Sequence, residues 1–464
     1  MRYVSTRGQA PELGFADVLL AGLADDGGLY VPERWPSLPA VAPGLSYADA
    51  AARIIDPFIG NEIEHEVLDR LCAEAYATFR HPAVCPLVQI GPNRWVLELF
   101  HGPTLAFKDV ALQLVGRLFD HVLGQRGERV TVVGATSGDT GSAAIDGVHG
   151  CDNVDIVILY PAGRVSEVQR RQMTTVDAPN VHAVAIDGSF DDCQDLVKAM
   201  FADAHFRARH RLSAVNSINW ARVMAQVVYY VTAAMSLGGG PGHRPVTFSV
   251  PTGNFGNVFA GWVAARMGLP VERFVVGSNR NDILTRFLHS GIMATSQVVP
   301  TLSPSMDIQV SSNFERLLFE LNHRDGGMTA GQLQRFRAVG TLTVEADQHE
   351  ALTGQFAAAR LDDEQTLAVM AATYRDCGML VDPHTAVGLG AVDRGAAPLD
   401  PDVPVVTLAT AHPAKFPDAV ERASGVRPAL PEHLADLLTR PERITHLDND
   451  LDDVQRFVAS VSRA

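Results

Sequence analysis

From about residue 94 onward, short apolar runs alternate with stretches of helical period, and no other feature constrains the fold as much. "RWVLELF" leads into the segment around Lys108, "RVTVVGATSG" into "SAAIDGV", "VDIVILYP" into "VSEVQRRQMTT", and "VHAVAID" into "SFDDCQDLVKAMFADAHF". A second set follows with "PVTFSVPTGNFGNVFAGWVAARMG" and "RFVVGSNRND", and "VPVVTLATAHPAKF" adds a late strand and turn. Repeated strand-then-helix units predict parallel sheets covered by helices, an α/β architecture. Ahead of them, "SYADAAARIIDPFI" and "EIEHEVLDRLCAEAYATF" predict an N-terminal helical layer.

A chain of 464 residues exceeds what one hydrophobic core normally organises. The division expected is an N-terminal domain over 1–92, a smaller α/β domain over 129–214, and a larger unit from 93–128 and 215–464. The larger unit carries a mainly helical insertion at about 315–380, and "GGGPGHRP" at 238–245 reads as a linker. The net charge of −15 argues against generic binding to nucleic acid or to an anionic membrane, which leaves a small molecule as the default partner. Five scattered cysteines without a C-x-x-C pair fit free thiols, and no run of about eighteen apolar residues is present to span a bilayer; the expected compartment is the cytoplasm. No H-E-x-x-H or Cys/His cluster marks a metal site.

Four segments carry chemistry. Lysine occurs only at 108, 198 and 415, against thirty-five arginines, so Lys108 in "HGPTLAFKD" stands out. An amine at the edge of an apolar helix can lose its proton and act as nucleophile or base, which a guanidinium cannot. In "VVGATSGDTGSAA" a strand runs into a loop of glycines and hydroxyls and then a helix, a layout suited to a carboxylate or phosphate. "SVPTGNFGNVFAG" repeats that layout without the G-x-G-x-x-G spacing of a dinucleotide site; the N–H groups of Gly253, Asn254, Phe255, Gly256 and Asn257 suit a single phosphate. In "LATAHPAKF", Thr410 follows a strand and offers a hydroxyl, for instance to a heterocyclic nitrogen. Each segment alone also fits an ordinary turn or helix start.

Together with "YVSTRG", "DGGLYVP", "VSEVQRRQMTT", "NSINWARVMAQ" and "DPHTAVG", in this order along nearly the full length, these segments resemble the threonine synthase family in its longer bacterial and fungal form. The resemblance implies a fold type II, tryptophan-synthase-β-like enzyme of mainly parallel sheet, with pyridoxal 5′-phosphate bound by the larger unit. It implies that Lys108 forms the Schiff base with the cofactor, that residues 253–257 cradle its phosphate, and that Thr410 meets its ring nitrogen. Ser137, Asp139 and Thr140 fall where the family's loop meets the amino-acid end of the substrate. The implied reaction converts O-phospho-L-homoserine and water to L-threonine and phosphate. Arg164, Arg222, Arg316, Lys415 and Asn313 are open candidates for the substrate phosphate, and the enzyme could be a monomer or a homodimer. The alternatives are a phospho-lyase or serine/threonine dehydratase, which share the lysine and cradle, and a non-catalytic ligand-binding regulator on the same fold.

Overall fold

The computed structural model describes the chain apart from Pro43, Val215, Pro241 and residues 396–398. The boundary expected at residue 215 and part of the 238–245 linker therefore lie outside the described residues.

Two sheets organise the molecule. The larger has six strands in the order Phe356–Arg360, Val271–Ser278, Val246–Pro251, Val405–Ala409, Arg94–Glu98, Leu87–Gly91. All neighbours run parallel except the last pair, a hairpin turned through Pro92 and Asn93, with Asn93 at φ 51°. "VTFSVP" and "VVTLA" are buried at every position, so their unbroken apolar character reflects strands covered on both faces. The smaller sheet is wholly parallel, in the order Thr445–Leu447, Val181–Ile186, Val154–Pro161, Val130–Ala135, Leu212–Ser213.

Three features differ from the division read in the sequence. The strand Thr445–Leu447 and the helix Leu451–Val461 join the smaller sheet, although 215–464 was assigned to the larger unit. The cause is the apolar face of that helix: Val454 and Val458 pack with Val133, Val157, Val184 and Cys193. The strand Leu87–Gly91 belongs to the larger sheet, so a boundary at 92 would cut a hairpin. Within 315–380 two strands interrupt the helices: Thr341–Thr343, which pairs with Ile292–Ala294, and Phe356–Arg360, which forms an edge of the larger sheet.

The N-terminal layer comprises the helices Phe15–Ala21, Tyr47–Ile59 and His65–Tyr76 with the short strands Tyr3–Ser5 and Tyr30–Pro32. It is tied to the helix Trp220–Ser236 through Trp220 Nε1, which donates to Tyr3 Oη at 3.1 Å, while the Tyr3 hydroxyl donates to the Phe58 carbonyl at 2.7 Å.

The helices Lys108–Arg126 and Asp139–Val148 cross closely enough to require glycine. A Cβ on Gly116 would lie 1.9 Å from the Gly147 carbonyl oxygen, and one on Gly147 would lie 2.5 Å from that of Leu112. This contact sets Lys108 and Asp139, the first residues of the two helices, against each other. Gly116→Val should therefore cost about 3 kcal/mol by overpacking. It should show as a lower unfolding temperature and reduced activity; an unchanged unfolding temperature would refute the close crossing.

Candidate functional site

The strand Arg94–Glu98 ends beside Val405–Ala409, and the loop Gly102–Phe107 returns along the residues after that second strand. Ala106 bridges Ala411, and the Phe107 N–H donates to the Thr410 carbonyl at 2.9 Å. Lys108 and Thr410, three hundred residues apart in sequence, are thereby fixed on adjacent backbone.

Lys108 is 8% exposed. Its Nζ lies 3.4 Å from Asp139 Oδ2 and 4.9 Å from the centroid of the Phe107 ring. Burial lowers its pKa, and the charges of Lys415 and Arg222 act in the same direction against the opposing pull of Asp139. Lys415, wholly buried, places Nζ 2.7 Å from Asp139 Oδ1 and donates to the Thr104 carbonyl at 2.8 Å. Gln169 Nε2 donates to Asp139 Oδ1 at 2.8 Å. Burial alone would raise the Asp139 pKa, but the two ammonium groups and these hydrogen bonds outweigh it and hold the carboxyl far below its usual range.

Asp109 anchors the lysine loop from below. It accepts the Thr104 N–H at 2.8 Å and the Thr104 hydroxyl at 2.5 Å, and a Cβ on Gly102 would collide with it at 2.5 Å. Burial, reinforced by Asp146, pushes its pKa up to about 7. A folded-state value above the unfolded one means that the folded chain holds this proton more tightly. Stability is thus lost as pH rises from about 4 to about 7 and is level above that. In Asp109→Asn the amide oxygen still accepts the Thr104 N–H, the amide nitrogen donates to the Thr104 hydroxyl, and the loss is removed. The variant should gain on the order of 4 kcal/mol over the parent at pH 8 relative to pH 4, and parallel unfolding curves across that range would contradict it.

In the Gly-rich loop, Thr136 Oγ1 accepts the N–H groups of Gly138 and Gly141 at 3.0 and 2.9 Å. Gly138 adopts φ 138°, with the Gln169 carboxamide filling the space of a Cβ. Ser137 is exposed and Thr140 half-buried, whereas Asp139 is engaged by both lysines.

The second loop is held open by its own geometry. Phe255 sits at φ 62°, unusual for a non-glycine residue, its ring packed edge-on against Phe314 at 5.6 Å. Gly253 lies where a Cβ would come 2.8 Å from the Ser305 carbonyl, and its own carbonyl accepts the Ser311 hydroxyl at 2.8 Å. The helix Gly256–Met267 starts immediately afterwards. Asn257 Oδ1 accepts the hydroxyls of Tyr229 and Tyr230 at 2.6 and 2.8 Å, which leaves the buried Nδ2 without a partner. Arg222 lies two helical turns before Tyr229 and is 3% exposed, with Nε and Nη1 lacking partners. Burial lowers its pKa to about 10. Unspent buried donors are costly unless a ligand takes them.

The other basic candidates separate clearly. Arg316 is spent on the Tyr30 carbonyl at 3.1 Å, the Ile218 carbonyl at 2.7 Å and Asn313 Oδ1. Asn313 also donates to the Ser217 carbonyl at 3.1 Å. Arg164 is exposed, and Lys415 is committed to Asp139. The sequence did not single out Asp109 as a staple, Gln169, Tyr229 or Ser305. The partners of Gln169, Tyr229 and Ser305 are distant in sequence, so no local pattern marks them; Asp109 bonds nearby Thr104, and residue order alone does not distinguish that staple from an acidic residue at a helix start.

Comparison with known proteins covers almost the whole chain. Family models described as threonine synthase N terminus, pyridoxal-phosphate dependent enzyme, and threonine synthase C-terminal match residues 2–76, 86–411 and 385–458. The threonine synthase of Pseudomonas aeruginosa is 57% identical, over 99% of this chain and 98% of that one. That of Saccharomyces cerevisiae is 42% identical, over 96% and 95%. The crystal structure of PLP-bound threonine synthase from Brucella melitensis superposes with a TM-score of 0.97 at 54% identity, over 100% of both chains.

Proposed function

The chain belongs to the threonine synthase family, and from that membership we propose that Lys108 holds the cofactor and that Arg222 takes the phosphate of the substrate. It is a pyridoxal 5′-phosphate-dependent enzyme of fold type II, and its activity is that of a threonine synthase. O-phospho-L-homoserine and water are converted to L-threonine and phosphate. The full-length relatives named above are threonine synthases, not dehydratases or non-catalytic proteins.

The residues present fit the cofactor. A buried amine lies at Lys108, a hydroxyl at Thr410 on the adjoining backbone, and a helix N-terminus follows the loop Gly253–Asn257, with Asn257 Nδ2 as an unspent donor. When bound, pyridoxal phosphate supplies an electrophilic carbonyl and a ring that draws electrons from the carbon bearing the substrate amine. Lys108 Nζ, its pKa lowered by burial, is the group that takes and returns protons. Asp139 holds the Lys108 and Lys415 ammonium groups, so it would repel a substrate carboxylate. That carboxylate falls instead to Ser137, Thr140 and the N–H groups at the start of the helix Asp139–Val148. Arg222, buried with two donor nitrogens unspent, matches the dianionic leaving phosphate. The Thr410 hydroxyl, being neutral, does not oblige a heterocyclic nitrogen to stay protonated.

The observation that carries the assignment is the convergence of Lys108, Asp139 and Lys415, drawn from three distant segments, onto one buried ion cluster. We further place the enzyme in the cytoplasm as a monomer or homodimer. Support for the compartment comes from the cysteines, which are free at all five positions. The test is a coupled assay on O-phospho-L-homoserine. Threonine and phosphate should appear in equal amounts; phosphate accompanied by 2-oxobutanoate would replace the synthase with a lyase.

A further inference from the structure

A cavity of about 360 Å³ lies beyond the loop that carries Lys108. It contains none of the residues proposed for cofactor or substrate. Its walls come from the end of the strand Arg94–Glu98, the turn at Met379 and Leu380, the segment after Thr410, and the C-terminal stretch around Pro431. The size is at the lower end of small-molecule sites.

Its polar groups are of mixed sign and unevenly spent. Arg80, at the exposed rim, forms no ion pair among the described residues. Glu98 binds His101 Nε2 through one oxygen at 2.7 Å. His412 Nδ1 accepts the Ala414 N–H at 3.1 Å, so the proton of the neutral ring is on Nε2, available as a donor. Burial, with the charge of His101 acting in the same direction, lowers its pKa to about 4 and keeps it neutral. The buried Nε2 of His433 has no partner and is free to accept a hydrogen bond in the neutral ring. Phe100, Leu105, Met379, Leu380, Pro413 and Pro431 supply an apolar wall.

The ligand chemistry follows by elimination. A metal ion is disfavoured, because no group of three or more suitable ligands occurs among the described residues. A phosphate dianion would face the Glu98 carboxylate, with Arg80 the one guanidinium in the lining to hold it. A zwitterion with an apolar body uses every group. We propose that this cavity binds a free α-amino acid with an apolar side chain, its carboxylate on Arg80 and His412 Nε2–H and its ammonium on His433 Nε2 and Glu98. The cavity shares a wall with the cofactor site, since the His412 N–H donates to the Leu105 carbonyl at 3.0 Å, next to the bond between Phe107 and Thr410.

The test is equilibrium dialysis of radiolabelled L-leucine, L-isoleucine and L-methionine against the holoenzyme, before and after borohydride has closed the cofactor site. At least one should bind saturably, one per chain, to both forms. Arg80→Ala and His433→Phe should each weaken it roughly tenfold or more, as should removal of the ligand's charge in its methyl ester or its 2-oxo acid. Absence of binding at ~1 mM free ligand would overturn the proposal, as would binding lost on reduction or binding indifferent to both substitutions. Arg80 is a surface residue, so its variant folds and keeps the test decisive. None of these outcomes bears on the assignment of Lys108.

Discussion

Lys108→Ala lowers threonine formation by about 10²- to 10⁴-fold, the range expected when a positioned proton-transfer group is lost, and abolishes covalent attachment of the cofactor. The fold survives the change, because Asp139 keeps Lys415 at 2.7 Å and Gln169 at 2.8 Å. Lys108→Arg is the sharper variant. It retains the positive charge beside Asp139, yet a guanidinium does not surrender its proton near neutral pH. If the residue served only to neutralise Asp139, the arginine variant would keep most of its activity. If it serves through a free amine, arginine is as inactive as alanine, and we expect the second result. Circular dichroism and unfolding temperature, measured alongside product formation, separate lost chemistry from lost structure.

Arg222→Ala separates activity from stability by sign. Without substrate, the guanidinium is 3% exposed and two of its nitrogens have no partner, so it burdens the fold. Its removal should leave the unfolding temperature unchanged or higher. With substrate, the same donors meet a dianion, and a truncated partner of a buried charge pair typically loses 2–5 kcal/mol, roughly 30- to 5,000-fold in kcat/KM. Occupancy by the cofactor should be unchanged, since its phosphate is assigned to residues 253–257. Arg222→Lys restores the charge but not the forked geometry, and should recover only part of the loss. A variant less stable than the parent and equally active would show that Arg222 is structural. This opposition is the usual mark of a residue kept for function.

The sequence displayed the parts of the site that depend on local order. "GNFGN" lies between a buried strand and a helix, so a turn that opens a helix N-terminus can be read directly from the order of residues; the positive φ of Phe255 cannot, because glycine or asparagine is the usual occupant of that region. Lys108 was visible because lysine is rare in this chain. The sequence could not assign Lys415, which reads equally as a turn residue until the fold brings Asp139 to it across 276 positions. Nor could it separate Asp139 from Ser137 and Thr140: all three lie where one loop turns into a helix, and only the two ammonium groups show that the carboxylate is already engaged. The seat of the C-terminal helix was hidden for a related reason. Its apolar face is plain in "LDDVQRFVASV", but nothing in that stretch says which of two sheets it will cover.

The most direct test is to reduce the purified holoenzyme with borohydride, digest it and sequence the labelled peptide. The label should reside on Lys108, within "HGPTLAFKD", and should appear in no other lysine peptide. A label on Lys415, or on Lys198 at the surface, would contradict the assignment of the site.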